Sequence, residues 1–104
     1  MARRLLIYSA KGPFTMSTAR QLSSLSNWKT NSQGKLEREF TFNKFPEAFS
    51  FMTRVAFEAE QMNHHPDWFN SYNRVRITLF THDEGSVTEK DYELARRIDA
   101  INWT

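Results

Sequence analysis

His64, His65 and His82 are the three histidines of this 104-residue chain, and they fall in two short segments, Asn63-His64-His65-Pro66-Asp67-Trp68 and Thr81-His82. Histidine, with an ordinary pKa of about 6.5, gives and takes protons close to neutral pH. Asp67, Asp83 and Glu84 lie beside the histidines in sequence, and Trp68 offers an indole as a flat wall. Such a set suits acid–base chemistry on a planar, hydrogen-bonding molecule.

Four readings of the cluster compete. In the plainest, His64 and His65 cap the end of a helix, where a cation gains ~0.3–1 kcal/mol from the helix dipole, and His82 is an incidental loop residue. Three of three histidines in two segments, each followed by turn or proline signals, is more than capping requires. The second reading is a metal site, since three His and a carboxylate can hold zinc or iron. Adjacent side chains leave a helix roughly 100° apart and a strand on opposite faces, so His64 and His65 do not easily share one ion. The third reading has a histidine activating a hydroxyl, but no Ser sits in a nucleophile elbow. The fourth is general acid–base catalysis: His64 or His65 from a helix end, His82 from a strand end and Trp68 between them line one pocket. Each positioned acid or base there is worth ~10²–10⁴-fold.

The elements that must position these residues follow from periodicity. Ala19, Leu22 and Leu25 predict a helix over Thr15–Leu25, with Thr15 or Ser17 at its start. Trp28-Lys29-Thr30 reads as a short strand and Asn31-Ser32-Gln33-Gly34 as a turn. Leu36, Arg38, Phe40 and Phe42 alternate with polar residues, predicting a half-buried strand whose apolar side Arg38 interrupts. Phe45, Ala48, Phe49, Met52, Val55, Ala56, Ala59 and Met62 form a helical stripe behind Pro46, with Phe51 and Phe57 off it. Those two rings either cover the ends of the sheet or meet a second subunit. Pro66 ends this helix. Trp68–Tyr72 and Arg74–Thr81 predict a second hairpin, turning at Tyr72-Asn73. Thr88-x-x-Asp91 is a capping box before a last helix that buries Leu94, Ala95, Ile98 and Ile101. The order α-β-β-α-β-β-α predicts an α+β fold, a four-stranded antiparallel sheet with three helices packed on one face.

The bulk composition bounds the rest. With 104 residues the chain is one domain. No cysteine is present, so disulfides, thiolate nucleophiles and cysteine-ligated zinc are excluded. No apolar run approaches the roughly 18–20 residues of a membrane span. Residues 1–36 carry six bases and no acid, whereas residues 37–104 carry eight bases against twelve acids. The body of the domain is therefore mildly acidic, which disfavours direct nucleic-acid binding. The basic segment 1–14 reads as an N-terminal extension, or alternatively as an organelle-targeting leader, and 15–104 as the folded domain.

The run Glu60-x-x-Asn63-His64-His65-Pro66-Asp67-Trp68-Phe69-Asn70-x-Tyr72-Asn73-x-Val75-x-Ile77-x-Leu79-x-Thr81-His82, followed by Thr88-x-x-Asp91-x-x-Leu94-Ala95, resembles pterin-4a-carbinolamine dehydratases. Phe40-x-Phe42-x-x-Phe45-x-x-Ala48-x-x-Phe51-Met52-x-x-Val55-Ala56 is similar to the family's central helix and its approach, and Trp28 to a tryptophan after its first helix. The resemblance covers about residues 17–104. It implies dehydration of 4a-hydroxytetrahydropterin to quinonoid dihydropterin in tetrahydrobiopterin recycling, with neither metal nor organic cofactor. It implies His64 and His82 as acids towards the two faces of C4a, and His65 as base and substrate anchor. Asp91 would hold His82 or shape the site, and Glu60 and Asn63 would orient the histidine pair. Pro66, Trp68, Thr81, Asp83 and Glu84 would meet the pterin. It further implies a homo-dimer or homo-tetramer closed through helices, in the cytoplasm and, for some members, the nucleus. The alternative role is a dimerisation cofactor for a transcription factor, as in animal members. Asn63 departs from members that carry Asp there, and Gln61 from a frequent lysine.

Overall fold

The structure, a computed structural model, describes residues 25–101. The extension 1–14 and all but the last residue of the expected helix Thr15–Leu25 lie outside the described residues. Within them the order is β1 (Lys29–Thr30), β2 (Leu36–Thr41), α1 (Phe45–Met62), β3 (Asp67–Ser71), β4 (Arg74–Leu79) and α2 (Glu89–Asp99). The strands form one antiparallel sheet in the order β1-β2-β4-β3, which leaves β3 at an edge. The fold is α+β, with two helices among the described residues.

Alternation decides which face of the sheet is covered. Leu36 and Phe40 of β2 and Val75, Ile77 and Leu79 of β4 are buried in one core with Ala48, Phe51, Met52, Val55 and Ala59 of α1 and Leu94, Ala95 and Ile98 of α2. Both helices therefore lie on the same face. Glu39, Arg74 and Arg76 on the opposite side are exposed, as an antiparallel sheet with one solvated face allows. The second hairpin turns through Tyr72, whose φ of 51° supplies the left-handed backbone that a two-residue loop needs.

The apolar stripe of α1 differs from the expected one. Phe51 is fully buried, its ring centroid 4.7 Å from that of Phe40 and 5.1 Å from that of Phe42, while Phe45 and Phe49 are exposed. The helix carries two overlapping apolar stripes, 45-49-52-56 and 48-51-55-59, and periodicity alone does not choose between them. The aromatic pocket over β2 selects the second. Burying Phe51 is worth roughly 1.5–3 kcal/mol.

Arg38, the polar interruption in β2, is also accounted for. Its Nη1 lies 2.7 Å from Oδ1 of Asp99 at the end of α2, and its guanidinium covers the Phe40 ring at 4.3 Å. Trp28 donates from Nε1 to the same Asp99 oxygen at 2.9 Å. Between the helices, Arg97 meets Glu93 at 3.2 Å, Gln61 at 3.2 Å and Glu58 at 3.5 Å, so charged side chains at the α1–α2 contact are paired.

Candidate active site

The site begins where α1 stops. Asn63 takes the left-handed conformation, φ 51° and ψ 43°. Its N–H donates to the Glu60 carbonyl at 3.1 Å and that of His64 to the Ala59 carbonyl at 3.0 Å, the paired bonds of a Schellman motif. Asparagine tolerates this backbone better than most non-glycine residues. Pro66 then keeps His65 out of the α region, so neither histidine is helical.

Released from the helix, the two rings diverge, and each finds its own carboxylate. His64 turns towards α2, with Nε2 2.6 Å from Oδ1 of Asp91. His65 turns back along α1, with Nε2 2.9 Å from Oε1 of Glu60. His82, beyond the end of β4, has its Nε2 3.9 Å from Oδ2 of Asp67. These three pairs differ sharply in exposure. The His64 side chain is 11% exposed against Asp91 at 0%, His65 is 56% exposed, and His82 is 67% exposed.

Asp91 is the most tightly held group. Its Oδ2 accepts from the Thr81 hydroxyl at 2.7 Å and from the Thr88 N–H at 2.9 Å, while Oδ1 faces His64. The capping box expected at Thr88-x-x-Asp91 is thus formed, and it occupies only one of the two carboxylate oxygens. The other oxygen reaches across to the end of α1.

The expectation that Asp91 holds His82 is corrected here: Asp91 pairs with His64. The first turn of α2 lies in the helical layer beneath Thr81, whereas the His82 ring leans the other way, edge-on to Phe80 at 5.5 Å and beside Asp67. Asp67 is opposite Thr78 in the β3–β4 register and so belongs to the open face. Asp67 is the residue that sequence reasoning did not place in the site, although its position three residues after His64 put it in the cluster from the start. Thr81 is likewise relocated. Its side chain is buried and spent on Asp91 and Thr88, which leaves its hydroxyl supporting a carboxylate.

The remaining candidates line the same end of the molecule. Pro66 is half-buried between His65 and β3. Trp68 is opposite Ile77, hence on the helix-bearing side, and is 40% exposed at the sheet edge. Asp83 and Glu84 are exposed in the turn between Thr81 and Ser86, which closes through Gly85 at φ 66°. The structure therefore gathers the end of α1, the start of β3, the end of β4 and the first turn of α2. Among the described residues the Glu60 carboxylate pairs with His65, and the exposed Asn63 shapes the site through its backbone. Chemically, two imidazoles are held by carboxylates, His64 by Asp91 and His65 by Glu60, and His82 has Asp67 at 3.9 Å, a set suited to moving protons.

Comparison with known proteins gives this geometry a family. The family model for pterin 4 alpha carbinolamine dehydratase matches residues 14–101. The Rhodospirillum rubrum protein named "Putative pterin-4-alpha-carbinolamine dehydratase" is 54% identical over 83 residues, 79% of this chain and 86% of its own. A Burkholderia pseudomallei protein of the same name is 51% identical over 82 residues, covering 78% and 81%. Among solved structures, a Brucella Melitensis protein described as a transcriptional coactivator/pterin dehydratase superposes with a TM-score of 0.76 at 40% identity, over 84% of this chain and 97% of that one. The chain belongs to the pterin-4a-carbinolamine dehydratase family.

Proposed function

We propose that the protein dehydrates 4a-hydroxytetrahydropterin to quinonoid dihydropterin and water by histidine acid–base catalysis. One observation carries the reading: three imidazoles, each with its own carboxylate, reach the same end of the molecule from different layers. In the reaction the C4a–O bond breaks and the leaving oxygen takes a proton and departs as water. The N5 lone pair forms the C4a=N5 bond, and the N5 proton passes to a base. His64, tied to the helical layer, and His82, leaning to the open face, stand on opposite sides of the strand end. That supports roles as acids towards the two faces of C4a, with His65 as base and anchor. Trp68 supplies a wall for the flat ring. The scheme balances in protons and electrons without a further reactant.

The test is decay of chemically generated 4a-hydroxytetrahydropterin, followed by absorbance with purified protein. Acceleration by the wild type is expected, with His64→Ala losing ~10²–10⁴-fold. Decay at the uncatalysed rate with wild-type protein would overturn the reading.

A second reading, as a non-catalytic protein-binding partner, is favoured by one feature. The Phe45 and Phe49 rings lie 5.6 Å apart, tilted by 36°, on the exposed side of α1, and Phe57 on the same helix is 71% exposed. Such a surface suits a homo-dimer or homo-tetramer closed through helices, or a foreign helical partner in its place. Gel filtration over a wide concentration range separates these: a persistent tetramer leaves no free helical surface, and a dimer leaves one.

A further inference from the structure

We propose that Thr81 is a positioning residue which sets both of the acids assigned above, His64 through its side chain and His82 through its backbone. The inference rests on the dehydratase reading for its kinetic part only.

Hydrogen-bond directions around Oδ2 of Asp91 are forced. The Thr88 N–H can only donate, so Oδ2 of Asp91 is an acceptor there. Thr81 has a single hydroxyl hydrogen, and it is given to the same oxygen at 2.7 Å. The 2.7 Å contact between the Thr81 and Thr88 hydroxyls must then be donated by Thr88. The Thr88 oxygen in turn accepts from the Lys90 N–H at 3.3 Å. A one-way chain results, from Lys90 N–H to Thr88, to Thr81, to Oδ2 of Asp91. With Asp91 as a carboxylate, Oδ1 can only accept, which assigns the proton between them to Nε2 of the imidazole, 2.6 Å away. Nδ1 has no hydrogen-bond partner among the described residues and becomes the nitrogen that works on substrate.

The same residue anchors the next histidine. The Thr81 N–H donates to the Ser86 carbonyl at 3.0 Å, and the Thr81 carbonyl accepts from Gly85 at 2.9 Å and Glu84 at 3.1 Å. His82 is the first residue of the turn that these bonds close. Thr81 is itself buried, so it acts through its neighbours rather than on substrate.

Imidazole ¹⁵N NMR of the full-length protein reads the tautomer directly, without substrate. The expected result is a single Nε2–H tautomer for neutral His64 in the wild type. Thr81→Val should mix the tautomers and lower kcat by on the order of tenfold or more, with KM changed by less than about twofold. Thr81→Ser, which keeps the hydroxyl, should restore both readings. An Nδ1–H tautomer in wild-type His64 would overturn the proposal even if the valine variant does not fold. So would a valine variant with an unmixed Nε2–H signal and wild-type kcat. A tautomer that responds to Thr81 in a protein without dehydratase activity would support the positioning role and remove the catalytic reading instead.

Discussion

Nε2 of His64 and Oδ1 of Asp91 lie 2.6 Å apart across 27 positions of sequence, joining the segment just past one helix to the first turn of the other. In the proposed reaction the contact positions an acid, and it is also structural, because Asp91 is wholly buried. Removing either partner leaves a buried polar group without its mate.

Asp91→Asn should therefore harm stability and turnover together. An NH2 in place of Oδ2 would face the Thr81 hydroxyl and the Thr88 N–H, both donors there, and an NH2 in place of Oδ1 would require Nε2 of His64 to accept. A loss of about 1–3 kcal/mol is expected in urea unfolding, together with a large fall in kcat. Wild-type stability in this variant would show that the network is not needed for folding.

His64→Ala and His65→Ala should separate on the same two axes. The first strips a buried carboxylate of its partner and should cost about 1–3 kcal/mol. The second removes an exposed ring paired with an exposed Glu60 and should cost no more than ~0.5 kcal/mol. Both should lose activity. Thermal melts beside activity assays check this, and equal destabilisation would contradict the difference in burial.

Asn63 tests the backbone rather than the side chain. Asn63→Gly should retain stability and activity, since glycine adopts a positive φ freely. Asn63→Val should cost about 1–2 kcal/mol and misdirect both histidines. Equal melting temperatures for the two variants would refute a conformational role.

Arg97 tests the helix–helix contact beneath the site. It is buried against Glu58, Glu93 and Gln61, and Glu93 also meets Arg96 at 3.2 Å, so Arg97→Ala should cost about 1–3 kcal/mol through its lost charge-assisted hydrogen bonds. Chemical denaturation measures it, and a change below ~1 kcal/mol would place the worth of this contact in its apolar neighbours.

Both hairpins, the two helices and the Thr88 capping box were legible in the sequence because each is written locally, in alternation, turn residues or a four-residue spacing. The failures were of another kind. Phe49 and Phe51 are equivalent to a periodicity count, and only the rings of Phe40 and Phe42 distinguish them. The capping box announced Asp91 as a helix-start residue but left open where its second oxygen would point. That depends on how α1 ends, and thus on the left-handed Asn63. Asp67 reached His82 through strand register, a long-range property that neighbouring residue types do not encode.

The second helix is fastened at both extremities: Asp91 to His64 at its start, and Asp99 to Arg38 and Trp28 at its finish. Eight residues at 1.5 Å each set the span at roughly 12 Å, and one added residue would swing one end by about 100° relative to the other. Its length therefore behaves as a gauge block, and insertions or deletions between residues 91 and 99 should be intolerable even beside the half-buried Arg96. The turn from Asn31 to Lys35 has no such duty, and a Cβ at Gly34 would meet open space. An inserted residue is expected to be better tolerated there, beside the exposed Ser32 and Gln33, than within the second helix.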